Sequence, residues 1–232
     1  MKRILKTIAL GVVLGLVLLM IQRGLGIDED AFLRGYWIAA PVLLIGVVLF
    51  NVLYNLRYQR KVRALVPLLQ EGKAEEFAAG MERLLQTARG KGLRSLLQLN
   101  LAAGQLEAGQ TARAVRLLEE LAACRFRGSA EAVRRLNLCL GYFRGGQCGQ
   151  ALALYRESQP MFRPLRERGD SGASLAELDV LAAAADRQYG QAEALLRAAQ
   201  TRWTGPRFQE DFRRIGDFLA EKKAEGPQPP AS

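Results

Sequence analysis

The side chains that most often carry chemistry are scarce or badly spaced in this sequence. Histidine is absent, which removes the commonest general base, metal ligand and near-neutral pH switch. The three cysteines, Cys124, Cys139 and Cys148, are odd in number, form no CxxC pair and sit within or beside helical patterns. They read as small buried hydrophobes in a reducing compartment. Glu75 with Glu76 and Glu119 with Glu120 are adjacent carboxylates. Neighbours in a helix point about 100° apart, so neither pair converges on one substrate. No phosphate-binding lysine loop, dinucleotide glycine fingerprint, nucleophile elbow or metal-ligand spacing occurs. The expectation is a protein that is not an enzyme, with no catalytic residue, no metal and no cofactor.

Charge offers a second handle. The formal net charge is +10 over 232 residues, which suits contact with phosphates or an anionic leaflet. Its densest stretch is Arg125, Arg127, Arg134 and Arg135, with Arg144 beyond. A solvated helix face accounts for these residues. The functional alternatives are an acidic peptide, a phosphorylated tail or anionic lipid headgroups. Nucleic acid has less support, because no binding motif and no interleaved aromatic and basic platform accompanies the charge.

The elements that must position any site begin in a membrane. Residues 7–21 are uncharged and almost wholly apolar, extending to about residue 4 if Lys6 snorkels. That length is near the lower limit of about 17 residues for a bilayer core of about 30 Å. Residues 35–56 are longer and uncharged, with Tyr36 and Trp37 at one end and Tyr54 and Tyr58 at the other, as interfacial aromatic belts require. Pro41 falls early in that span, and Gly11 with Gly15 would let the two helices approach closely. Two transmembrane helices, about 4–21 and 35–56, therefore form an anchor over 1–56. Lys2, Arg3 and Lys6 precede it and Arg57, Arg60, Lys61 and Arg63 follow it, against Asp28, Glu29 and Asp30 in the loop. By the positive-inside rule both termini and the main domain face the cytoplasm of a cell membrane.

Beyond residue 57 the fold class reads as all-α: Leu, Ala, Glu, Gln and Arg dominate and apolar residues recur every three or four positions. Breaks are expected at Gly72, 89–92, Gly109, Gly128, Gly145 with Gly146, the proline-led stretch from Pro164, Gly190, and Gly205 with Pro206. Gly72, Gly109 and Gly146 are spaced 37 residues apart, and the segments from Leu99 and Leu136 align at that offset. Fixed-period similarity marks units that bury their apolar faces by stacking on neighbours.

Leu138, Cys139, Tyr142, Gly146, Ala151 and Tyr155, and less closely Leu101, Ala102, Gly109, Ala114 and Leu118, resemble the tetratricopeptide repeat. The period departs from that family's 34, and its early tryptophan is absent. The resemblance implies a tetratricopeptide-like α-solenoid over 57–203. A capping helix at 204–223, with Phe208, Phe212, Ile215 and Leu219 on one face, and a disordered tail at 224–232 complete the chain.

Such repeats generally bind protein or peptide partners along a concave face. Carried over, that face comprises Leu96, Leu99, Ala103, Leu106 and Glu107, then Val133, Leu136, Leu140, Phe143 and Arg144. The stripe is apolar, and three fillings are open: inter-helix core, self-plugging by the C-terminal phenylalanines, or a partner segment. The leading expectation is a membrane-anchored scaffold or adaptor for a protein partner. The competing one is a basic membrane-surface or nucleic-acid binder.

Overall fold

The computed structural model describes residues 15, 17, 20, 22–24, 26, 28–124, 126–168 and 171–224. Among them there is no strand, and the fold is all-α. The chain divides into two compact units, Met1–Arg57 and Tyr58–Ser232.

Helix α1 spans Glu29–Gln70, longer at both ends than the 35–56 expected. It passes through Pro41 without interruption. Its segment Phe32–Gln70 is long and apolar enough to cross a membrane, and none of its most apolar window is buried. Leu43, Ile45 and Phe50 each lie about two-thirds or more exposed, a surface that water disfavours by about 25 cal/mol per Å² and lipid does not. The Asn55 amide bonds within the helix: its Nδ2 donates to the Asn51 carbonyl at 2.9 Å and to Asn51 Oδ1 at 3.2 Å. The expected first membrane helix, about 4–21, lies outside the described residues apart from Gly15, Val17 and Met20. The 224–232 tail lies outside them as well, apart from Ala224.

In the second unit Tyr58 is buried and donates its hydroxyl hydrogen to Thr87 Oγ1 at 3.1 Å. It is thus a packing residue and not part of an interfacial aromatic belt. The helices that follow are α2 (Ala74–Thr87), α3 (Lys91–Glu107), α4 (Thr111–Glu120), α5 (Ser129–Arg144), α6 (Cys148–Arg168), α7 (Gly172–Ala185), α8 (Tyr189–Arg202) and α9 (Pro206–Ala224). A short 3-10 turn, Leu121–Cys124, extends α4. Consecutive helices from α2 onward pack on one another, and α3 with α5, α5 with α7, and α7 with α9 also touch.

Four of the connections share one geometry. The amide of Gly72, Gly109, Gly146 or Arg187 donates to the carbonyl three residues back. The amide of the next residue, Lys73, Gln110, Gln147 or Gln188, reaches the carbonyl five back at 2.7–2.9 Å. This paired closure satisfies the last carbonyls of a helix and requires a left-handed residue at the hinge. All four hinge residues have positive φ, from 59° at Arg187 to 76° at Gly72. The fourth turn falls at Arg187, not at the expected Gly190, which lies inside α8.

The other departure is α6, which continues through Pro160 and Pro164 to Arg168. A helix-interior proline costs about 3 kcal/mol. Here the last turns bury Phe162 and Leu165 almost completely, against Leu136, Leu140 and Leu178, and that burial offsets the penalty.

Among the described residues, core clusters follow the helix order from α3 onward. Leu99, Leu106, Leu118 and Leu138 join α3, α4 and α5; Leu136, Cys139, Phe162 and Leu178 join α5, α6 and α7; Val180, Leu196, Phe212 and Ile215 join α7, α8 and α9. Close approach depends on Gly104 and Gly141. A Cβ at Gly141 would meet Val115 Cγ2 at 2.7 Å, and one at Gly104 would meet Phe77 Cδ1 at 2.5 Å.

Candidate binding groove

The ends of α3 and α5, the middle of α7 and one face of α9 surround an open cavity of 530 Å³. Its apolar wall is Leu106, Phe143, Leu181, Ile215 and Phe218, and its charged wall is Glu107, Arg144, Glu177, Asp211 and Arg214. A second cavity of 460 Å³ shares Glu107, Asp211 and Arg214 and reaches Glu71 and Gly72.

Arg144 organises the charged wall. It occupies the last turn of α5, where a cation complements the helix dipole. Its guanidinium donates to the Leu106 carbonyl of α3 at 3.1 Å and to Glu177 Oε1 of α7 at 2.9 Å, with Glu107 Oε1 at 3.9 Å. One side chain thus joins three helices. Burial works against its charge, but the carboxylates of Glu177 and Glu107 outweigh that and hold the guanidinium firmly protonated. Glu177 is buried, which pushes its carboxyl above the usual range; Arg144 pulls it back, while Asp211 and Glu107 push it further up.

Placement of the expected groove residues is mixed. Leu99, Leu106, Leu136 and Leu140 are buried in the inter-helix core and Ala103 is half-buried. Leu96 is 45% exposed but does not line the cavity. Leu106, Phe143 and Arg144 do line it, so of α3 and α5 the C-terminal ends reach the cavity. The reason is length: the leucines further back are already covered by α4 and α6.

The basic stretch disperses. Arg134 is 6% exposed, makes two bonds to Glu131 at 2.7 and 2.9 Å and donates to the Leu118 carbonyl at 3.1 Å. Arg135 bridges Glu131 at 3.0 Å and Glu157 at 2.7 Å. Burial raises the Glu131 carboxyl, yet the two arginines outweigh it and leave it below the usual range. Arg127 is exposed and Arg125 lies outside the described residues. Arg134 and Arg135 are therefore structural ties between helices and are not open to an acidic ligand, a correction to the sequence expectation that follows from Glu131 sitting three and four residues ahead of them.

Glu177, Asp211, Arg214 and Phe218 line the cavity without having been singled out in the sequence. Glu177 carried a signal, being a carboxylate in a helix otherwise made mainly of Ala and Leu. The other three sit on the flank of α9 beside the expected apolar face, where nothing local separates a groove residue from a solvated one. Among the described residues no group of three His, Cys, Asp or Glu is placed to hold a metal. The sequence matches no protein-family model, and neither a curated protein nor a solved structure is significantly similar to it.

Proposed function

We propose that this chain is a membrane-anchored helical-repeat scaffold that holds a segment of a protein partner in the groove between α3, α5, α7 and α9, at the cytoplasmic surface of a cell membrane. The observation that carries the proposal is the open cavity with an apolar wall at the ends of successive helices. Four turns of one geometry, spaced 37, 37 and 41 residues apart, support the reading as a tetratricopeptide-like solenoid. The membrane half rests on the apolar run of α1 and on the flanking charges. Arg60, Lys61 and Arg63 are exposed on the same helix, which supports contact with an anionic leaflet, where each cation gains about 1 kcal/mol. Tethering raises the effective concentration of a weak partner.

Site-directed photo-crosslinking in native membranes tests the scaffold. A photoreactive residue in place of Phe218 should give discrete adducts, and one in place of the exposed Glu82 should not. Equal or absent adducts would remove the groove from consideration. Protease digestion of sealed vesicles of known sidedness tests the orientation, and protection of the helical domain on the cytoplasmic side would overturn it.

A further inference from the structure

We infer that α1 pairs inside the bilayer with α1 of a second copy of this chain, through the face that carries Asn51 and Asn55. The inference rests on the membrane reading of α1 above and names what covers that helix. Residues 35–56 hold no charge, and their strongly polar side chains are these two amides. Asn51 lies six residues before Arg57, the first cation after the apolar run, so about 9 Å of helix rise separates them. That depth is inside a hydrocarbon core of about 30 Å, where water does not reach a polar group.

The bonds within the helix use only part of what the two amides offer. Asn55 Nδ2 donates to the Asn51 carbonyl and to Asn51 Oδ1. Among the described residues Asn51 Nδ2 and Asn55 Oδ1 have no hydrogen-bond partner, which leaves two N–H donors and an acceptor to be met from outside. A spacing of four puts both side chains on one side of the helix. Leu44, Val47 and Val48 share that side and are each more than half exposed. Apolar side chains do not choose between lipid and another helix, because lipid tails are just as apolar. Amides do choose, since they bond across helices and have no partner in a lipid tail.

The depth and chemistry of the pair select the occupant. Copies inserted with one topology run parallel, so equal residues meet at equal depth across a two-fold axis. An amide is donor and acceptor at once. Asn51 of one copy can therefore donate to Asn51 of the other and accept in return, with Asn55 one turn further along doing the same. The first apolar run of the same chain has less to offer. Residues 4–21 hold no Asn or Gln, and Gly15, Val17 and Met20, its described members, are themselves exposed.

The test uses the purified full chain in phosphatidylcholine vesicles at a high lipid-to-protein ratio, so that a second copy is the one protein available. Flotation with the vesicles and resistance to alkaline extraction report insertion. A photoreactive residue in place of Val48 should give an adduct of twice the chain mass, and one in place of Leu49, on the opposite side of the helix, should give severalfold less. In the Val48 background, Asn51→Leu with Asn55→Leu should reduce the doubled adduct about fivefold or more, and Asn51→Gln should retain most of it.

A chain that inserts but gives no doubled adduct, equal adducts from both positions, or an adduct indifferent to loss of the asparagines would overturn the pairing and keep the membrane reading. An adduct of single-chain mass that maps to residues 4–21 would assign the face to the first apolar run and overturn the pairing as well. A chain that neither floats with the vesicles nor resists extraction would overturn the membrane reading itself. Should the leucine variant fail to insert, the comparison of Val48 with Leu49 in the otherwise unaltered chain decides.

Discussion

Replacing Arg144 by methionine tests whether one guanidinium ties α3, α5 and α7 together. The substitution keeps a similar side-chain length and removes three interactions at once: the bond to the Leu106 carbonyl, the bond to Glu177 and the longer attraction to Glu107. Glu177 is left as a buried carboxylate with Asp211 and Glu107 for company. Removing one partner of a fully buried pair costs about 3–5 kcal/mol. Arg144's side chain retains 24% of its exposure, so the expected loss is nearer about 2–3 kcal/mol. In a domain of this size that corresponds to a fall in Tm of about 5–10 °C.

The pH dependence gives the sharper test. A carboxyl whose pKa is raised on folding binds its proton more tightly in the folded state. Its contribution is fully present below the unfolded pKa and lost as pH rises through the folded one. The Arg144→Met penalty should therefore be full at neutral pH and shrink as the pH falls toward the ordinary carboxylate range. Urea titrations of the full chain in mild detergent, followed by circular dichroism across that range, measure it. An Arg144→Met, Glu177→Leu pair, with both charges gone, should recover to within about 1 kcal/mol of wild type. A single variant as stable as wild type, or a penalty that grows on acidification, would refute the reasoning.

Three further outcomes are expected. Gly141→Ala places a Cβ 2.7 Å from Val115 Cγ2 and should cost about 1–3 kcal/mol in a melting experiment, with Val115→Ala restoring part of the loss. Arg187→Gly should stabilise the domain by about 0.5–1 kcal/mol by relieving a left-handed non-glycine hinge, and Gly146→Ala, at φ 75°, should destabilise it by a comparable amount. Maleimide added to the folded protein should label the exposed Cys124 and Cys148 and spare Cys139 until denaturant is present, because Cys139 is buried and its thiol is pushed up to about 12; rapid modification of all three would contradict the packing of α5.

The helical character and the apolar run within α1 could be read directly, because both depend on local composition and periodicity. Gly72, Gly109 and Gly146 announced their turns for the same reason: glycine is the residue that adopts the left-handed hinge without strain. Arg187 adopts it too, and an arginine carries no such mark, so the fourth turn was misplaced to Gly190. Pro164 misled in the other direction. Its local preference is to end a helix, and the burial of Phe162 and Leu165 that overrides it depends on side chains from α5 and α7. The groove was least legible. Leu136 and Leu140 fit an apolar concave stripe by position, but only the packing of α6 and α7 decides that they are interior. Likewise Arg144 and Glu177 lie 33 residues apart, a separation at which no local pattern joins them.

An array of helices whose contacts run only between neighbours tends to come apart from its ends, each unit answering to the next and to little else. Arg144 adds a three-body term to that arrangement: the strength with which α5 holds α3 depends on whether α7 is in place to share the same guanidinium. Fraying at one end is then felt two helices away. Loss of α7 leaves the Leu106 carbonyl and Glu107 facing an altered cation, so disorder spreads inward as a block and does not peel off one helix at a time. Hydrogen exchange would register this as amides of α3, α5 and α7 exchanging in a single concerted opening.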